Sequence, residues 1–84
     1  MYHIEIKRQA LKEIELLPEK VQIQIIDKID VLKIDPRPSG SLKLQGSKDR
    51  WRIRVGNYRI LYTIHDETKI VYIYRALHRK EVYR

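Results

Sequence analysis

Arginine is the residue type with the clearest chemical potential in this sequence, and it is concentrated around Trp51-Arg52-Ile53-Arg54-Val55. Gly56-Asn57 follows this run, and Arg59 comes shortly after it. A guanidinium is planar, keeps its charge at neutral pH and can bind a phosphate through two parallel hydrogen bonds. Several guanidiniums held together would suit phosphate binding and the stabilisation of negative charge that develops during phosphate chemistry.

The strict alternation of this run predicts that its arginines share one face of a sheet. Gly56-Asn57 fits a two-residue hairpin turn, which places Arg54 opposite Arg59. Directly opposed side chains lie on the same face. The alternating apolar residues would then form a core face, and Arg52, Arg54 and Arg59 would lie on the other face.

A second hairpin is expected to extend this pair into a row of cations. If Ile64 pairs with Ile70, Arg75 lies opposite Arg59, and Lys43 from the preceding strand could lengthen the row. Like charges directly opposite destabilise a strand pair by up to about 1 kcal/mol, so an all-cation row indicates a binding site for an anion. The alternative is a solvated face on which the arginine stems pack.

The distribution of charge supports an anionic partner. The net charge is +7, yet residues 1–39 carry seven Lys and Arg against seven Asp and Glu. Residues 40–84 carry eleven against four, so the whole excess lies in the second half. Such segregation is typical of a site for a polyanion, and a basic solvated face is the alternative.

The tail brings titratable side chains into a short span: His78, Arg79, Lys80 and Tyr83. Histidine titrates near neutrality, so His78 is a candidate general acid or base. Tyr83 can donate a proton or stack on a base. For His78 the alternative is an ordinary surface histidine.

These side chains must be positioned by a small α+β domain. Residues 2–6 alternate like a strand, Ala10, Leu11, Ile14 and Leu17 share a helical face, and residues 19–34 keep helical spacing over three turns. After the proline-containing loop 35–40 the pattern is β throughout. We predict a single domain over 1–84 with the order β-α-α-β-β-β, in which a helical hairpin covers one face of an antiparallel sheet.

Composition excludes several classes of protein. The sequence has no cysteine, which excludes disulfides, thiolate zinc sites and a cysteine nucleophile. No apolar stretch is long enough for a transmembrane helix, and the first residues lack the layout of a secretory signal. We therefore expect a cytoplasmic protein with no membrane partner.

Two segments carry a family resemblance. Gly56-Asn57-Tyr58-Arg59-Ile60-Leu61-Tyr62, followed by His78-Arg79-Lys80-Glu81-Val82-Tyr83, resembles the RelE/ParE superfamily of toxin–antitoxin modules. The resemblance extends over the whole chain and favours the RelE branch. It implies cleavage of messenger RNA on the ribosome by attack of a 2′-OH on the adjacent phosphate, without a metal or cofactor, and a cognate antitoxin as partner.

The same resemblance implies roles for individual residues. Catalytic roles would fall on Arg54, Arg59, Arg79 and Tyr83, with His78 as a candidate base. Substrate binding would fall on Lys43, Arg52, Arg75 and Lys80.

The chain departs from the family at one point of chemistry. Well-studied RelE members carry lysines where Arg52 and Arg54 stand, and an arginine is a poor general base. His78, Lys43 and Tyr83 are the candidates for the role of general base. His78 comes first, because histidine is the side chain that ordinarily titrates near neutral pH. Two other functions remain open: a ParE-like toxin that poisons DNA gyrase without nuclease activity, and a module that binds RNA without cutting it.

Overall fold

The computed structural model describes the backbone of residues 1–82 and the side chains of residues 1–80. Tyr83, one of the predicted catalytic residues, therefore lies outside the described residues. The elements are, in chain order, β1 (His3–Ile6), α1 (Arg8–Glu15), α2 (Glu19–Ile34), β2 (Leu42–Lys43), β3 (Arg50–Val55), β4 (Tyr58–His65), β5 (Ile70–His78) and α3 (Arg79–Val82).

The five strands form one sheet in the order β1-β5-β4-β3-β2. The predicted α+β class is confirmed, and the predicted element order holds apart from one additional strand and the short helix α3 at the end. The sheet is mixed and not wholly antiparallel, because β1 pairs with β5 in parallel. The chain leaves β1 through both helices and returns along the far strands, so β5 reaches β1 in the same direction. A parallel pair needs a long connection of this kind.

The hydrophobic core lies between α1, α2 and one face of the sheet. Ile25, Ile29 and Leu32, which the helical spacing predicted, are buried there beside Tyr62. Ile26 lies next to that stripe and stays 52% exposed. Each fully buried isoleucine contributes about 1.5–3 kcal/mol to folding, so this layer is a major source of the stability of the domain.

The first predicted hairpin register is confirmed, and the second is wrong. Val55 pairs with Tyr58 and Arg54 with Arg59. In the second hairpin, however, His65 pairs with Ile70, which is a slip of one residue, and a bulge follows between Leu61 and Tyr62. An alternating sequence pattern does not reveal a bulge. The extra residue in the bulged strand shifts the pairing with the neighbouring strand, but the segment keeps the composition of a β-strand.

The loop between α2 and β2 is tied to the sheet by polar contacts. The Tyr62 hydroxyl donates to the Pro36 carbonyl at 2.8 Å. Asp66 accepts hydrogen bonds from Arg37 at 2.8 Å and from the Tyr2 hydroxyl at 2.6 Å. The bonds from Arg37 and then Tyr2 lower the pKa of Asp66 to about 2. These contacts hold the loop against the turn between β4 and β5.

The longest helix, α2, has 16 residues. No helix in the described range 1–82 has the length and apolar character needed to cross a membrane.

Candidate functional site

The candidate site lies on the open face, by which we mean the sheet face opposite α1 and α2. Strand alternation and the observed pairing place these side chains on it: Arg50, Arg52, Arg54, Arg59, Leu61, Thr63, His65, Tyr72, Arg75 and Leu77. The prediction that Arg52, Arg54 and Arg59 share the face away from the core is therefore confirmed. Their opposite neighbours, such as Ile53 and Ile60, are buried in the core.

Arg54 and Arg59 are directly opposed but have different surroundings. Arg54 is exposed and has no ion-pair partner among the described residues. Arg59 is only 5% exposed, and one of its terminal nitrogens donates to the Tyr58 carbonyl at 3.2 Å. Its Nε is buried and has no hydrogen-bond partner in the described part of the chain. A buried donor without an acceptor costs about 1–3 kcal/mol, and an anion bound here would remove that cost.

The turn between β3 and β4 brings the tail to this pair of arginines. Gly56 adopts a φ of +58°, a left-handed conformation that favours glycine at the first turn position. The backbone N–H of Arg79 donates to the Asn57 carbonyl at 2.8 Å. The first residue of α3 is thereby fixed to the hairpin that carries Arg54 and Arg59, and the exposed side chains of Arg79 and Lys80 start from that point.

Arg75 does not extend the row as predicted. It lies opposite Leu61, and Arg59 lies opposite Leu77, because the slip and the bulge together displace β5 by two residues. Arg75 remains on the open face but donates from Nη2 and Nε to Glu13 Oε2 at 2.8 and 2.9 Å. An acid of α1 thus already pairs with this guanidinium.

Glu13 also accepts from the Ala76 N–H at 2.8 Å, at the edge of β5 beyond the end of β1. Burial raises the pKa of Glu13, but the hydrogen bonds from Arg75 and Ala76 outweigh it, so the net pKa is lowered. The carboxylate therefore remains charged at neutral pH and holds α1 on this edge.

Two other predicted residues lie on the wrong face for the arginine site. Lys43 is paired with Trp51, so it shares the face of the core and does not lengthen the cation row. His78 is paired with Tyr58, and the two rings meet edge to face at 5.4 Å between centroids. His78 thus alternates away from the face of Arg59, and its Nδ1 accepts from the Lys80 N–H at 3.3 Å.

The open face also holds aromatic side chains that the sequence reasoning did not single out. Tyr72 and Tyr74 of β5 line a groove with Arg50, Thr63 and Lys7. The only signal in the sequence is the alternation of tyrosines in Val71-Tyr72-Ile73-Tyr74, a pattern that is also typical of an ordinary β-strand.

The arrangement is suited to binding an anionic chain. It presents exposed cations on β3, a buried guanidinium on β4 whose Nε has no acceptor among the described residues, and cations at the start of α3. Among the side chains that the structure describes, no group of three or more His, Asp or Glu residues is placed to hold a metal ion.

Comparisons with known proteins agree with this fold. A family model described as the ParE toxin of the type II toxin–antitoxin system, parDE, matches residues 4–83. The toxin RelE3 of Methanocaldococcus jannaschii is 38% identical over 72 residues, which cover 86% of this chain and 72% of that protein.

Solved structures are similar over nearly the full length. The archaeal RelE–RelB complex from Pyrococcus horikoshii contains a chain with a TM-score of 0.84 and 28% identity, covering 93% of this chain and 94% of that chain. The isolated E. coli RelE toxin has a TM-score of 0.83 and 30% identity, covering 99% and 92%. The resemblance inferred from the two sequence segments is thus confirmed: the chain belongs to the RelE/ParE family of type II toxin–antitoxin toxins and is RelE-like.

Proposed function

We propose that this chain is an endoribonuclease that cleaves messenger RNA on the ribosome, with the scissile phosphate held between Arg54 and Arg59. The observation that carries the proposal is the contrast within this opposed pair. Arg54 is exposed and unpaired in the described structure, and Arg59 is buried with its Nε lacking an acceptor. A phosphate oxygen would supply that acceptor, and RNA cleavage is the activity that the RelE resemblance implies.

The proposed reaction is an internal transfer at phosphorus. The 2′-oxygen attacks the adjacent phosphorus and loses its proton, the bond from phosphorus to the 5′-oxygen breaks, and that oxygen gains a proton. The products are a 2′,3′-cyclic phosphate and a 5′-hydroxyl. Arg54 and Arg59 would stabilise the additional negative charge of the phosphorane, a contribution that is often the largest in such catalysis. Arg52, Arg79 and Lys80 would bind the flanking backbone.

The proton acceptor cannot be either arginine, because a guanidinium keeps its proton. Lys43 and His78, two of the three candidates named from the sequence, lie on the other face of the sheet. Of the three candidates this leaves Tyr83, and we assign it the role in its phenolate form, since the neutral phenol has no proton-accepting capacity of the required strength.

The test is primer extension on ribosome-bound message after expression of each variant. Arg54→Gln and Arg59→Gln should each lower cleavage by about a hundredfold, as removal of a donor that stabilises transition-state charge does elsewhere. Tyr83→Phe should lower it without weakening ribosome binding. Lys20→Gln removes the same charge from exposed α2 surface and should leave cleavage unchanged. Wild-type cleavage by both arginine variants would contradict the proposal.

A second candidate function is a gyrase poison without nuclease chemistry. It is favoured by one observation, since the family model that matches residues 4–83 is described as a ParE toxin. This function predicts DNA breaks with intact message after expression, which the same cultures would reveal.

We also propose a cognate antitoxin that covers the open face. The similar Pyrococcus horikoshii structure is a RelE–RelB complex, so a chain of this fold is known with such a partner. Arg52 and Arg54, which form no ion pair within the described part of the chain, favour an acidic segment as the covering element.

A further inference from the structure

The open face has a second end, away from the hairpin of Arg54 and Arg59, that none of the roles above uses. A groove of about 420 Å³ lies there. It is lined by Lys7, Arg50, Thr63, His65, Tyr72 and Tyr74.

Two cation–aromatic pairs form the walls of this groove. The Lys7 ammonium lies 4.4 Å from the centroid of the Tyr72 ring, and the Arg50 guanidinium lies 5.8 Å from that of Tyr74. Both rings are partly buried, so they are held in place while part of each surface remains accessible. Burial raises the pKa of Tyr74, which keeps the phenol neutral at physiological pH.

The base of the groove is polar. Thr63 and His65 are joined at 3.1 Å between Oγ1 and Nε2, and the His65 ring meets the Tyr72 ring edge to face. Neither Lys7 nor Arg50 forms an ion pair with a described residue, so both charges are available. Asp49, beside Arg50 in sequence, is close enough for its charge to act on Tyr74, and Glu5, paired with Tyr72 across the sheet, is in contact with His3 at 2.9 Å.

The groove and the arginine site share strand β4. Thr63 and Arg59 are both on β4 and both on the open face. Four residues of strand separate them by about 13 Å. A single-stranded chain crossing the sheet could therefore contact both places at once.

We propose that this groove is a second nucleotide-binding site, which takes one or two nucleotides of single-stranded RNA flanking the cleaved bond. The bases would stack on Tyr72 and Tyr74, and Lys7 and Arg50 would contact the adjacent phosphates. Aromatic rings interleaved with cations are the arrangement that binds single strands with little sequence preference. The identity of the RNA rests on the proposed function, but the stacking does not require cleavage.

The test uses a short RNA that is 2′-O-methylated, so that it cannot be cut, with 2-aminopurine as a base whose fluorescence falls on stacking. The full chain is titrated into this RNA at two salt concentrations. Tyr74→Leu should abolish most of the quenching and raise the Kd about tenfold, because one base loses the aromatic ring on which it stacks. Tyr74→Phe keeps the ring and should bind like the wild type.

A matched charge control is available elsewhere on the surface. Lys69 lies 4.8 Å from the Tyr2 ring centroid in a similar pair outside the groove. Lys7→Gln should weaken RNA binding and reduce its salt dependence, whereas Lys69→Gln should not.

The outcomes separate this inference from the proposed function. The proposed nucleotide site is overturned if Tyr74→Leu and Lys7→Gln both show normal quenching and affinity. It is also overturned if the wild type does not bind this RNA. If Tyr74→Leu loses the quenching and the wild-type chain cuts no message, the nucleotide-binding groove is supported and the proposed nuclease activity is rejected.

Discussion

At the scale of single residues, Arg59 shows that the candidate site is built at a cost to stability. Its side chain is 5% exposed, its Nε has no acceptor among the described residues, and no acid pairs with it there. A stable core would not need a cation in this position. Strain or unsatisfied polarity of this kind is common where binding, rather than folding, determines the residue.

Replacement of this arginine should therefore raise stability while removing function. Arg59→Met keeps the length of the side chain and removes the buried charge and the unpaired donor, so we expect a gain of about 1 kcal/mol in the free energy of unfolding. Urea denaturation measures the gain. Arg54→Met is the matched control, since its exposed side chain should change stability little. A less stable Arg59→Met protein would show that the guanidinium is a structural group.

At the scale of elements, one carboxylate adds a polar contact between α1 and β5 to the packing of Ala10 and Ile14 in the core. Glu13 is 15% exposed and accepts from both the Arg75 side chain and the Ala76 N–H. Glu13 lies where β1 would continue, because β1 ends opposite Ile73 and the next part of β5 has β4 as a strand partner on one side only. This contact fixes α1 against the strand that leads into α3.

The lowered pKa of Glu13 gives this contact a defined pH dependence. The folded pKa lies below the ordinary value of 4.5, so the stabilisation is present above that pH and is lost as the pH falls through the folded value. Glu13→Gln should lower stability by about 1 kcal/mol at neutral pH and flatten the acid limb of the stability curve. Urea midpoints measured from neutral to acidic pH check this, with Glu15→Gln, an exposed position on the same helix, as control. A Glu13→Gln curve parallel to that of the wild type would contradict the assignment.

At the scale of the whole molecule, the excess positive charge lies in the second half of the sequence, and the arginines of β3 and β4 carry part of it on the open face. The helices carry as many acids as bases within residues 1–39, and the cations of the second half include the arginines of the open face. Such a surface attracts an acidic partner before contact and should accelerate encounter more than it lengthens the lifetime of the complex.

Association with the proposed antitoxin should consequently depend on salt. We expect the association rate to fall about tenfold or more when the salt concentration is raised from ~50 to ~500 mM, while the dissociation rate changes little. Stopped-flow mixing of the separately purified chains measures both rates. An association rate that is indifferent to salt would indicate that the antitoxin binds through apolar contacts instead.

Local spacing was sufficient to predict the hairpin and the helices. Gly56-Asn57 sets the register by itself, so the facing of Arg54 and Arg59 could be counted along the chain. Residues 19–34 likewise form α2 within the predicted bounds. In both cases the deciding interactions join residues close together in sequence.

The sequence by itself determined the fold class, the family and the opposed pair of arginines. Only the tertiary structure decided that Arg75 is held by Glu13, that Lys43 and His78 lie on the other face, and that Tyr72 and Tyr74 line a groove with Lys7. These facts depend on a bulge, on strand partners far apart in the chain and on a helix packed at a sheet edge. No periodicity in one segment encodes them, because each is settled by competition between distant segments for the same hydrogen bonds and the same face.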